Sequence, residues 1–108
     1  MAPARSITEA DADRTVDLPV GTSLHILLTE QPSGGYRWEL DGPSPDGVRI
    51  DGPAASYPAG TVGARSRIAW QVTALSPGSV ELQFRLWRPW AGKSSIIRRL
   101  TFRLSIAP

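Results

Sequence analysis

The chain contains no cysteine. Disulfides, thiolate nucleophiles and Cys-based metal sites are therefore excluded. A cysteine-free small domain fits a reducing compartment without requiring one. There is a single histidine, His25, at an outward position of an alternating segment. A Ser-His-Asp triad would need His25 beside a strained serine and a buried acid, and no nucleophile-elbow spacing is present. The glycine-containing run Gly60-Thr61-Val62-Gly63-Ala64-Arg65-Ser66 lacks the Lys-Ser/Thr ending of a phosphate-cradling loop. Carboxylates from Glu9 to Asp17 lack the central glycine and terminal glutamate of a calcium loop. Asp41 and Asp46 flank a Pro/Gly turn, where aspartate caps backbone. The expectation is a protein with no catalytic residues, no metal and no cofactor.

Long apolar runs are also missing. None approaches the ~20 residues of a membrane span. Met1 to Arg14 has no apolar core of the kind a secretory signal needs. Residues 1–13 read as a flexible, solvated tail, residues 14–108 as one domain, and the expected location is cytoplasmic, with export left open.

What is present is period-two hydrophobicity. Val80, Leu82, Phe84 and Leu86 alternate with Ser79, Glu81, Gln83 and Arg85. Leu100, Phe102, Leu104 and Ile106 repeat the pattern, as do Ile68-Trp70-Val72, Leu24-Ile26-Leu28 and Val16-Leu18-Val20. Tyr36, Trp38 and Leu40 share a face, and Val48 and Ile50 form a short strand. Strict alternation marks half-buried strands. Ten glycines and ten prolines supply turns between them, as in Gly42-Pro43-Ser44-Pro45-Asp46-Gly47, Asp51-Gly52-Pro53 and Ser76-Pro77-Gly78. No segment reads as a capped amphipathic helix. The predicted fold is all-β, an immunoglobulin-like antiparallel β-sandwich of about seven to eight strands.

Three connections stand out. One is Gln31-Pro32-Ser33-Gly34-Gly35-Tyr36, a turn-forming run in front of an aromatic strand. The second is the uncharged stretch around Gly60-Thr61-Val62-Gly63-Ala64, and the third is Arg88-Pro89-Trp90 with its following residues. A sandwich clusters its loops at its two ends, so all three could build one surface. Charge is unevenly distributed too. Residues 1–54 carry four basic and nine acidic side chains, whereas residues 55–108 carry eight basic ones against Glu81 alone. That bias allows an anionic partner. Arg85, Arg88, Lys93, Arg98, Arg99 and Arg103, interleaved with Trp87 and Trp90, make nucleic acid or an acidic glycan the alternative ligand.

Taken in order, the three loops resemble the chagasin family of cysteine-protease inhibitors. That family carries an Asn-Pro-Thr-Thr-Gly-Tyr/Phe loop, then Gly-x-Gly-Gly, then Arg-Pro-Trp. Pro32, Gly35 and Tyr36 match the first, Gln31 and Ser33 replace residues of similar character, and Gly34 departs. Gly60 to Gly63 takes the second place with Val62 for one glycine, and Arg88-Pro89-Trp90 matches the third. The resemblance implies a monomeric, non-enzymatic, reversible inhibitor that plugs the cleft of a papain-like cysteine peptidase. It implies that Ser33 and Gly34 lie nearest the peptidase's thiol, that Gly60 to Ala64 pairs like an extended substrate, and that Trp90 is the anchor.

Overall fold

The computed structural model describes residues 5–30, 35–56 and 66–108. Eight strands run in chain order: β1 (Arg5–Thr8), β2 (Thr15–Pro19), β3 (Ser23–Glu30), β4 (Arg37–Leu40), β5 (Val48–Ser56), β6 (Ser66–Ala74), β7 (Gly78–Trp87) and β8 (Arg98–Ala107). They form two four-stranded sheets, in the orders β1-β3-β6-β5 and β2-β8-β7-β4. The alternating residues of both sheets meet between them. Leu24, Ile26, Leu28, Trp70 and Val72 from one sheet face Leu82, Phe84, Phe102 and Leu104 from the other, all buried. Trp70 and Phe84 pack with ring centroids 4.7 Å apart, and Phe84 meets Phe102 edge-on at 5.8 Å. Such pairs add about 0.5–1.5 kcal/mol each beyond area burial.

The N-terminal segment corrects one expectation. Residues 1–13 were expected to form a tail, yet Arg5–Thr8 is a strand that joins the edge of the first sheet parallel to β3, with Ile7 in the core. A short 3-10 turn follows at Glu9–Asp11, closed by a capping box: Thr8 N–H donates to Asp11 Oδ2 (2.9 Å) and Ala10 N–H to Thr8 Oγ1 (3.3 Å). A strand with one apolar residue has no visible period, and acids that cap backbone look in sequence like a solvated run. β2 then crosses to the other sheet and pairs parallel with β8, so each sheet is antiparallel except for its N-terminal edge strand. Pro19 closes that edge strand, where a missing donor is tolerated.

Asp51-Gly52-Pro53 is also not the turn its composition suggests. It is a bulge inside β5, where the register against β6 shifts between Asp51 and Ala54. β5 is an edge strand, the position where proline can remain within a sheet.

Candidate functional site

The strand registers decide where the three connections emerge. Glu30 pairs with Ser66 and Ser56 with Arg67 in the first sheet. Arg37 pairs with Trp87 and Leu86 with Arg98 in the second. The connections β3–β4, β5–β6 and β7–β8 therefore all leave the same end of the sandwich. Gln31 to Gly34 of the first and Gly60 to Ala64 of the second lie outside the described residues. Their flanking strands, and the whole of the third connection, are described.

The first connection is clamped at its root. It passes from one sheet to the other, and Trp38 holds the two together. The Trp38 backbone N–H donates to Glu30 Oε2 at 3.0 Å, and its indole Nε1–H donates to the Thr29 carbonyl at 2.9 Å. Trp38 is itself buried in the core. Thr29 N–H in turn donates to Glu9 Oε2 at 3.1 Å, which ties the N-terminal turn to the same root. Tyr36 was expected in the core beside Trp38. It is half-buried instead, because it lies before β4 and turns toward the third loop.

The third connection folds onto itself. Pro89–Ala91 and Lys93–Ser95 are successive 3-10 turns around Gly92. The Ser95 hydroxyl sits at their centre. It accepts from Arg88 N–H (3.0 Å) and lies 2.6 Å from the Gly92 carbonyl and 3.0 Å from that of Arg88, its two available acceptors. Ile97 N–H donates to the Leu86 carbonyl at 3.0 Å and closes the loop. Preorganisation of this kind lowers the ordering cost of binding.

Among the described residues the first and third loops touch in two places. The Arg88 guanidinium lies over the Tyr36 ring, 4.4 Å from its centroid. Trp90 lies over Gly35. A Cβ built on Gly35 would come within 2.7 Å of Trp90 Cζ2 and closer still to Cη2. Gly35 also has φ +76°, a region that disfavours side chains. Glycine is thus required there twice over, for the backbone angle and for the clearance of the indole. Trp90 nevertheless remains 70% exposed, the most exposed large apolar side chain among the described residues. A large ring set on a glycine and open to solvent offers apolar area that the fold itself does not bury.

The residues that hold this site were not legible as site residues. Glu30 and Ser95 carry no motif; only their position next to a loop could have drawn attention. The expected basic hairpin is partly neutralised. Arg85 bridges to Asp41 (3.0 Å) and Glu39 (3.7 Å), Arg99 to Asp41, and Arg103 to Glu81 (3.6 Å). Trp87 donates its indole N–H to Glu39 and receives the Arg85 guanidinium 3.9 Å from its ring centroid, so it serves the outer face of the sheet. A cleft of about 380 Å³ opens between the β4 and β5 edges, lined in part by Glu39, Pro53, Trp70 and Arg85, away from the three loops. Among the described residues no group of three His, Cys, Asp or Glu side chains could hold a metal ion.

The family model of the chagasin family of peptidase inhibitors matches residues 17–106. The chain belongs to that family. Amoebiasin-2 of Entamoeba histolytica is 27% identical to it over 106 residues, covering 93% of this chain and 83% of that protein. The fold is similar to the crystal structure of the cysteine protease inhibitor EhICP2 from Entamoeba histolytica, with a TM-score of 0.81, 22% identity, and 96% and 95% of the two chains covered. It is also similar to PbICP-C, solved in complex with falcipain-2, with a TM-score of 0.62, 17% identity, and 96% and 91% coverage. A chagasin-family protein of this kind is an inhibitor and not an enzyme.

Proposed function

We propose that this chagasin-family protein is a reversible, competitive inhibitor of papain-like cysteine peptidases, acting by occlusion with three loops at one end of the sandwich. The observation that carries the reading is the Trp90–Gly35 contact, which joins the first and third loops into one preorganised surface. Occlusion asks no chemistry of the inhibitor. It asks for rigid loops, and Trp38, Glu30 and Ser95 provide the ties.

In this reading Ser33 and Gly34 of the first loop cover the catalytic thiol. Gly60 to Ala64 pairs with the peptidase backbone as an extended segment. Trp90 docks beside the cleft, and Arg88 holds the loops in register through Tyr36. PbICP-C was solved with falcipain-2, and the same class of partner fits this chain. The test is titration of active papain-like peptidases with the pure protein. The expected outcome is a rise in apparent KM with kcat unchanged and full recovery on dilution. No inhibition at about 10 μM overturns the proposal, since a standard interface of about 800 Å² per partner supports much tighter binding.

A further inference from the structure

The N-terminal turn reaches the root of the first loop from outside it. β1 pairs with β3 from Arg5 with Leu24 to Thr8 with Leu27, whereas β3 continues to Glu30. Two residues past the last pair, the Thr29 N–H donates to Glu9 Oε2 at 3.1 Å. A side chain thus takes over where the strand pairing stops. Glu9 is aimed by a turn fastened to both sheets. Thr8 and Asp11 cap that turn reciprocally. The Glu9 carbonyl accepts from Ala12 N–H (3.1 Å), and Asp13 N–H donates to the Thr101 carbonyl (2.8 Å) on β8 of the second sheet. Asp13 holds φ +65° at that junction, uncommon for a residue with a side chain. Thr29 is engaged on both sides of its backbone. Its N–H meets Glu9, its carbonyl accepts the Trp38 indole N–H at 2.9 Å, and the next residue, Glu30, takes the Trp38 backbone N–H at 3.0 Å. Gln31 of the first loop follows directly.

We propose that Glu9 is a positioning residue for inhibition: through Thr29 it sets the direction in which the first loop leaves β3, so the N-terminal turn belongs to the inhibitory apparatus. The proposal rests on the inhibitor reading and adds a residue that acts through the loop rather than on the peptidase. Glu9 belongs to none of the three loop motifs and precedes residues 17–106, which the family model matches. The physical reason is support. A binding loop is held only as well as the residues beneath it, and a segment that must be ordered on binding loses affinity. Without Glu9 the Thr29 N–H turns to water, and the Thr29–Glu30 backbone is free to rotate against the Trp38 ties. An acceptor of the right reach prevents this; charge as such does not.

The experiment compares Glu9→Ala, Glu9→Asp and Glu9→Gln with the unaltered protein against papain. Asp keeps the charge but is one methylene short; Gln loses the charge but keeps an acceptor at the same reach. Inhibition constants are read where each variant is at least about 99% folded, so that a loss of global stability cannot change them. The expected result is inhibition weakened at least about five-fold by Ala and by Asp, and within about two-fold of the unaltered protein for Gln. Amide exchange by NMR supplies the second readout. In Glu9→Ala and Glu9→Asp the Thr29 N–H and the Trp38 indole N–H should exchange at least about 10-fold faster, with Phe84 and Phe102 in the core unchanged. If Glu9→Ala folds poorly, the Asp and Gln pair decides alone. Unchanged inhibition in Ala and Asp overturns the inference and leaves the inhibitor reading intact. So does a Gln variant as weak as Asp, or exchange that quickens equally in the core, which would show a merely structural role. Failure of the unaltered protein to inhibit overturns the inhibitor reading and the inference with it.

Discussion

The two ends of the sandwich are built by different means. At the end opposite the loops, short turns are held by backbone hydrogen bonds: Val20 N–H to the Ala107 carbonyl, Gly21 N–H to that of Ala74, Ala74 N–H to that of Thr22, and Leu75 N–H to that of Gly47. At the loop end backbone bonds such as Ile97 N–H to the Leu86 carbonyl are joined by side-chain ties, namely Trp38 to Thr29 and Glu30, Ser95 to the Arg88 backbone, and Arg88 over Tyr36. Both ends expose large apolar residues, Val20 and Leu75 at one and Trp90 and Ile97 at the other. Exposure alone therefore does not distinguish them. What distinguishes the loop end is that Trp90 rests on a second loop while Arg88 stacks on that same loop. Turns secured by backbone bonds tolerate many side chains, whereas loops secured by side chains restrict the sequence and keep a defined surface.

The comparison can be broken most forcefully at Trp38 and Trp90, two tryptophans of the same end with opposite expected readouts. Trp38→Ala removes a buried ring and both ties to β3, and should cost about 3–5 kcal/mol of stability in denaturant unfolding. Trp90→Ala should leave stability within about 0.5 kcal/mol and raise the inhibition constant about 30-fold, or about 2 kcal/mol. An unchanged inhibition constant would remove Trp90 as the anchor. Gly35→Ala forces the indole aside and strains a positive φ, so inhibition should weaken about 10-fold with a stability loss near 1 kcal/mol. Ser95→Ala leaves the Arg88 N–H without its acceptor. About 1 kcal/mol of stability and a few-fold of inhibition should be lost together, because the loop is no longer held. The smallest effect belongs to the opposite end. Leu75→Ala should change stability by less than about 0.5 kcal/mol and inhibition not at all; a measurable loss of inhibition there would show that the interface is not confined to the loops.

How far the sequence speaks depends on the range of the interaction concerned. Alternation in β3, β6, β7 and β8 is a local property, and the residues it placed inside, such as Ile26, Val72, Phe84 and Phe102, are buried. β1 was not legible, since Ile7 is a lone apolar residue whose burial depends on an edge that β3 provides. The Asp51-Gly52-Pro53 bulge was misread for a related reason: turn chemistry and bulge chemistry use the same residues, and only pairing with β6 separates them. Trp87 could not be placed by its strand's alternation alone, and its position follows from Glu39 on the neighbouring strand.

For the site, the sequence by itself determined the parts: a Pro/Gly-rich loop before an aromatic strand, an uncharged glycine-containing stretch, and Arg88-Pro89-Trp90. These are matters of residue type and backbone allowance, which a chain carries before it folds. The tertiary structure alone decided that the connections leave one end, that Trp90 covers Gly35, and that Arg88 serves Tyr36. Each of these depends on strand register and on contacts between residues some 50 positions apart, such as Gly35 and Trp90. No local pattern encodes such distances; packing of the two sheets creates them.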